Sequence, residues 1–325
     1  GSVCYAGAGL LLVHDALRRF GSFAEPPASW TAAGLWLGSP VLYYVTLAPG
    51  FAHACSLFAV ALLVWLWLRA RQRGYDGLAP LAVGAAGGLA ALVREQDGLF
   101  LALPAADLLW RAAARRDGRA LGALAAMTAA AGVVFAPQLL AYHAINGGWG
   151  PSRLVTRKMN FATPHFLQVL FDPGHGLFAW SPLLLVAAAG LLLALRARPV
   201  AVLVLLTLGF VLQVWINGSV ESWTQAGAFG ARRFVSSVAV LAWGLAWIVT
   251  RGLERFRRPA VAAGLVLFAW WNVSLMVQFG LRLMDRQRLE WPRVAVNQLV
   301  EVPPRLGRVA WLFLTDRERL RSERP

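Results

Sequence analysis

Two adjacent arginines, Arg232 and Arg233, stand at the mouth of an apolar run, directly after Gly227-Ala228-Phe229-Gly230-Ala231. A guanidinium is a planar fork that pairs two oxygens of one phosphate, so an arginine pair there reads as an anion site. Pairing with Glu221 or with lipid headgroups is the alternative. Arg94-Glu95-Gln96-Asp97 lies between two short apolar runs. Ionisable residues at membrane depth are costly and mark functional sites by default. The other reading is an internal Arg–Glu or Arg–Asp pair that fixes a hairpin. A third set of cations, Arg153, Arg157 and Lys158, places two of its members one helical turn apart. It sits in the longest internal loop, from about 143 to 176, which could bind a lipid phosphate or simply lie on a surface. His53 follows Pro49-Gly50-Phe51-Ala52 behind Tyr43-Tyr44. A histidine at a helix start can meet a phosphate or a sugar, or can finish a tight turn at an interface.

The elements that must hold these residues are read from the alternation of apolar runs and basic clusters. Apolar stretches recur over 3–17, 28–47, 51–68, 78–93, 98–110, 121–143, 177–195, 200–216, 234–250 and 259–280. They predict an all-α, polytopic transmembrane helix bundle of about ten membrane helices. The fourth and fifth are short: sixteen helical residues make about 24 Å, below the ~30 Å of bilayer hydrocarbon. They are expected to form a broken pair meeting at Arg94 to Gly98. Residues 1–280 form one membrane domain and 281–325 a tail, in which Trp291-Pro292 and Pro303-Pro304 are expected to break helices.

Composition agrees. Charged residues make up 14% of the chain, against about 25% in a soluble domain, and mean hydropathy is +0.57. The net charge of +15 does not indicate nucleic acid, because the arginines are spread through loops between apolar runs. Arg18, Arg19, Arg69, Arg71, Arg73, Arg111, Arg115, Arg116, Arg119, Arg196, Arg198, Arg251, Arg255, Arg257 and Arg258 fall in alternate loops. The positive-inside rule makes these loops cytoplasmic. Every candidate site above then lies on the opposite face, with the tail. Cys4 and Cys55 share that side and could form a disulfide or remain packed thiols; no metal-binding spacing, P-loop, HExxH or nucleophile elbow is present.

Taken in order, Gly38-Ser39-Pro40-Val41-Leu42-Tyr43-Tyr44, Pro49 with His53-Ala54, the Arg94 hairpin, Gly174-His175-Gly176-Leu177-Phe178-Ala179-Trp180-Ser181-Pro182, and Gly230-Ala231-Arg232-Arg233-Phe234 resemble bacterial GT-C integral membrane glycosyltransferases. The nearest group is the protein O-mannosyltransferase-like (family 39-like) set, and the resemblance covers about residues 1–280. It implies a hexosyltransferase, mannosyltransferase-like, of the bacterial inner membrane. Its donor would be a polyprenyl-phosphate-linked sugar and its acceptor a glycan, lipid or protein, with the site facing the periplasm or exterior.

It further implies an acidic general base in the first long external loop; some relatives also use a divalent metal. No such loop is visible here. The chain begins Gly1-Ser2 and enters an apolar run at once, so the expectation is that an N-terminal part carrying the base is missing. Glu221 and Asp97 are the remaining carboxylate candidates. Arg232, Arg233, Arg94, Arg153, Arg157 and Lys158 are the expected donor-phosphate ligands, with Trp223, Trp180, His175 and His53 expected at the sugar. The competing readings are a flippase or transporter of a lipid-linked sugar, and a non-catalytic truncated relative. A transporter should show internal repeats and mid-membrane ionisable residues, and no repeat is visible.

Overall fold

The computed structural model describes residues 1–198, 200–225 and 227–322, and these are helical, with no named strand. In chain order the helices are α1 (Ser2–Arg19), α2 (Pro27–Leu37), α3 (Val41–Thr46), α4 (His53–Gln72), α5 (Ala79–Val93), α6 (Ala102–Ala114), α7 (Arg119–Asn146), α8 (Arg153–Thr156), α9 (Phe166–Phe171), α10 (Leu177–Trp180), α11 (Pro182–Ala197), α12 (Ala201–Gly218), α13 (Val238–Arg255), α14 (Arg258–Gly280), α15 (Trp291–Val296), α16 (Val302–Thr315) and α17 (Arg317–Ser322). Short 3₁₀ turns precede α6 (Glu95–Leu101) and α13 (Arg232–Ser237).

Five stretches are long and apolar enough to cross a membrane: α4, α7, α12, α14, and α13 with the 3₁₀ turn leading into it. The expected ten are therefore corrected to five among the described residues. The reasons are local. The run 3–17 becomes α1, which carries His14, Asp15, Arg18 and Arg19 in its last six residues. The run 28–47 breaks at Gly38-Ser39-Pro40 into α2 and α3. The run 98–110 opens as the Glu95–Leu101 turn, and α5 and α11 have only 15 and 16 residues.

Close helix contact is made by small residues. Where α11 crosses α13, a Cβ on Gly244 would stand 1.9 Å from the Ala187 carbonyl oxygen, and one on Gly190 would stand 2.2 Å from that of Gly244. Small residues allow this backbone approach between apolar helices. The α5–α7 contact is built the same way at Gly84 and Gly88. Along α7 only 11% of the apolar window is buried, and Leu121, Val133 and Leu140 are exposed on it.

The two ends of the bundle differ in chemistry. At one end, where α4 and α6 finish, Asp107 is fully buried. It takes a close contact from Arg71, a 2.6 Å hydrogen bond from the Tyr75 hydroxyl and an Arg111 ion pair at 3.9 Å. A polar cavity of about 410 Å³ opens beside it, lined by Tyr75, Asp76, Arg111, Asp117 and Arg119.

The tail lies at the other end. The Leu289 amide donates to the Pro173 carbonyl at 3.0 Å and the Gly227 amide to Gln287 Oε1 at 3.2 Å. Pro292 falls in the first turn of α15, where the N–H that proline lacks would be unpaired in any case. Pro303 and Pro304 do not break the helix either: they follow a π-helical segment, Asn297–Glu301, that carries α15 into α16.

Candidate functional site

At the tail end of the bundle, segments far apart in sequence meet: Tyr44 of α3, the first turn of α4, the turn after α5, the last turns of α12, and the approach to α13. Helix α5 stops because Arg94 turns extended, at φ −155° and ψ 119°. Its amide still closes on Ala90, and its carbonyl accepts from the Asp97 amide at 2.8 Å. The Arg94 side chain is thereby directed into the junction. Nη1 donates to His53 Nδ1 at 3.1 Å and Nη2 to Gln96 Oε1 at 3.0 Å. A guanidinium only donates, so His53 Nδ1 accepts and its ring is neutral.

Two glutamines bind the junction together. Gln96 Nε2 donates to Gln213 Oε1 at 3.1 Å and to the Arg233 carbonyl at 2.9 Å, and Gln213 Nε2 returns a bond to the Gln96 carbonyl at 2.9 Å. Tyr44 clamps the loop before the arginines: its hydroxyl donates to the Phe229 carbonyl and accepts from the Phe229 amide, both at 3.0 Å. Burial raises the Tyr44 phenol above its ordinary pKa, so it remains a neutral donor. Gly230, at φ +57°, takes the left-handed turn that redirects the chain toward Arg232.

The result is three neighbouring cations, of which Arg94 also feels the buried Asp97 carboxylate. Arg94, Arg232 and Arg233 lie close enough to repel one another. Burial, and then Arg232, hold the Arg94 guanidinium below its ordinary value, while Asp97 acts in the opposite sense. Asp97 is fully buried, yet no arginine pairs with it within 4 Å among the described residues. Its two oxygens instead accept from Ser56 Oγ and, at 2.7 Å, from Ser236 Oγ. Burial pushes its carboxyl up to about 6, against the pull of Arg94 and the two serines. The internal Arg94–Asp97 pair weighed from the sequence is absent. Arg232 rests over the Phe51 ring at 5.5 Å. Arg233 reaches Ser222 Oγ at 3.4 Å, and its Nη1 is buried without a partner. Neither pairs with Glu221 among the described residues.

Arg94, Arg232, Arg233, His53 and Asp97 are thus brought together. Arg153, Arg157 and Lys158 are not: they are exposed on and after α8. Their segment runs beside residues 218–221, with the Glu221 amide bonded to the Lys158 carbonyl at 2.8 Å. Glu221 is exposed there. Trp223 is half-buried beside His165 at 5.8 Å. Trp180 and His175 are both 1% exposed and stack on each other at 4.9 Å. The Trp180 indole N–H donates to the Pro173 carbonyl, and His175 Nε2 faces the carbonyls of Ala228 at 2.8 Å and Arg286 at 3.0 Å. Their ring faces are consumed by packing that ties the loop before α10 to the loop before Arg232 and to the tail. Neither presents a face to a sugar.

The sequence reading missed Gln96, Gln213, Ser56, Ser236 and Tyr44 as partners. Gln213 carried the most legible signal, because with Asn217 it places two amides one turn apart in the otherwise apolar α12. No group of three or more His, Cys, Asp or Glu gathers among the described residues, and Cys4 and Cys55 are free thiols. No protein-family model, curated protein or solved structure matches this chain.

Proposed function

We propose that this end of the bundle holds the phosphate of a lipid-linked sugar and serves transfer of that sugar on the non-cytoplasmic face of a membrane. The observation that carries the reading is the convergence of Arg94, Arg232 and Arg233, none of which has a carboxylate within 4 Å among the described residues, while Asp97 beside Arg94 is bonded to serines. Buried positive charge without a counter-charge is expensive, and an incoming phosphate would supply the missing charge. The sequence resemblance to GT-C transferases supports the sugar carrier as the source of that phosphate.

In this reading each group has a physical task. Breaking a sugar–phosphate bond leaves negative charge on the departing phosphate, and prepositioned cations that exclude water stabilise that charge. Arg232 and Arg233 are the first ligands, entering from the start of α13, and Arg94 is the third. Gln96 and Gln213 hold Arg94 and the Arg233 backbone in register, so their role is positioning. His53 keeps Arg94 directed inward.

Asp97 supports a second reading, a carrier-binding protein that performs no transfer. Both of its carboxylate oxygens are occupied by serines inside the bundle, so it is badly placed to deprotonate an acceptor. Reconstituted protein given labelled polyprenyl-phosphate sugar separates the readings: transfer to an acceptor supports the enzyme, and saturable binding without transfer supports the second. If Arg232→Ala with Arg233→Ala left both binding and transfer unchanged, the phosphate site would have to be abandoned.

A further inference from the structure

Helix α16 packs one apolar face on the bundle and leaves further large apolar side chains exposed. Val302, Leu306, Val309 and Phe313 face α14 and the segment around α3, leaving a cleft of about 390 Å³ that is also lined by Val273, Met276, Val277 and Gly280 of α14. On the opposite side Trp311 is 67% exposed; Leu314, on the flank, is 78% exposed, and Leu299, in the π-helical Asn297–Glu301 segment that leads into α16, is 77% exposed. Arg305 and Arg308 are exposed along α16, and Arg317 is exposed at the start of α17. Arg305 is held by Glu301, and Arg317 lies over Phe313 at the cleft.

Depth decides what the outer face meets. Val273 to Gly280 are the last two turns of α14, which is long and apolar enough to span. The 23 residues of α14 rise about 34 Å, little more than the ~30 Å of hydrocarbon, so α16 packs beside the part of α14 that reaches the non-cytoplasmic edge of the hydrocarbon. Its opposite face points sideways from the bundle at that level. An apolar stripe with tryptophan, edged by arginines, is the composition of a helix that lies in a membrane interface. The whole tail carries ten arginines against six carboxylates, which suits an anionic surface.

We propose that α16 and the π-helical segment before it are seated in the non-cytoplasmic leaflet, with Trp311, Leu314 and Leu299 among acyl chains and Arg305 and Arg308 on the phosphates of anionic lipids. This requires α14 to span; it does not require the arginine cluster to hold a sugar carrier.

The full chain, with Cys4→Ala and Cys55→Ala, is labelled with a polarity-sensitive fluorophore at Leu314→Cys, or at Leu299→Cys should the first variant fold poorly. Arg288→Cys, exposed in the segment before α15, serves as the reference. In nanodiscs of phosphatidylcholine with phosphatidylglycerol, position 314 should emit at shorter wavelength than 288 and be quenched by lipids spin-labelled near the headgroup. Arg305→Gln or Arg308→Gln should reduce the preference for phosphatidylglycerol on the order of 5-fold per arginine. Emission from 314 matching that from 288 would overturn the proposal. So would a buried label that lipid quenchers do not reach and that becomes exposed on dilution, which would make a second copy the occupant.

Discussion

The two ends of the bundle bury arginines in opposite ways. Where α4 and α6 finish, Arg71 and Arg111 share Asp107, and Tyr75 completes the carboxylate's partners. Where α4 begins, Arg94, Arg232 and Arg233 crowd one another, and Asp97, the carboxylate beside Arg94, is spoken for by Ser56 and Ser236. The first arrangement is closed in that each arginine has a carboxylate within 4 Å, and the network ties helix ends together. The second is open: the fold supplies positive charge and gives the nearby negative charge to hydroxyls. Closure serves stability, and openness leaves a demand that something from outside can meet.

The contrast is easiest to break at the closed end. Asp107→Asn should destabilise the protein by about 3–5 kcal/mol, the usual consequence of leaving buried charges unpaired, read as a fall in thermal or denaturant stability in detergent. A loss near zero would mean that the network is not closed after all. At the open end, Arg232→Gln should leave stability nearly unchanged while weakening binding of a polyprenyl-phosphate sugar on the order of 10–100-fold, as expected for a lost charged hydrogen bond. Parallel loss of stability and binding would erase the distinction between the ends.

Asp97 sharpens the comparison through pH. Its carboxyl is raised in the folded state, so the folded protein holds this proton more tightly than the unfolded chain does. The stability it contributes is fully present below its ordinary value near 4 and is lost as pH rises through about 6. Asp97→Asn should flatten that part of the stability-versus-pH curve; an unaltered curve would show that another group titrates there. The smallest effect is expected from Arg153→Gln, Arg157→Gln and Lys158→Gln, each within about 0.5 kcal/mol for stability and neutral for carrier binding. A clear binding loss would extend the open end onto the loop after α7.

Much of this was visible in the chain. Helix positions followed from apolar runs, and Arg94, Arg232 and Arg233 were marked by being cations on the sparsely basic face. The number of spans was less legible, because run length alone does not register a Gly-Ser-Pro break within 28–47 or an extended residue at Arg94. Partnership was least legible of all. That Asp97 would pair with Ser56 and Ser236 rather than with Arg94, three residues away, depends on a contact across 139 residues. Trp180 and His175 misled for a related reason: an aromatic pair near a polar loop looks the same in sequence whether its faces are open or stacked shut.

The lightly buried α7 has a consequence for how the protein sits in its surroundings. Its 28 residues extend about 42 Å, beyond the ~30 Å of a bilayer's hydrocarbon, so in a membrane this helix either leans, kinks at Pro137 or stands with its ends in the headgroup layers. Its fulcrum is the glycine contact with α5 at Gly84 and Gly88. Its far end carries the segment whose backbone pairs with residues 218–221, just upstream of Arg232. Where α7 leans, a thinner bilayer would tilt it further and bear first on that backbone pairing.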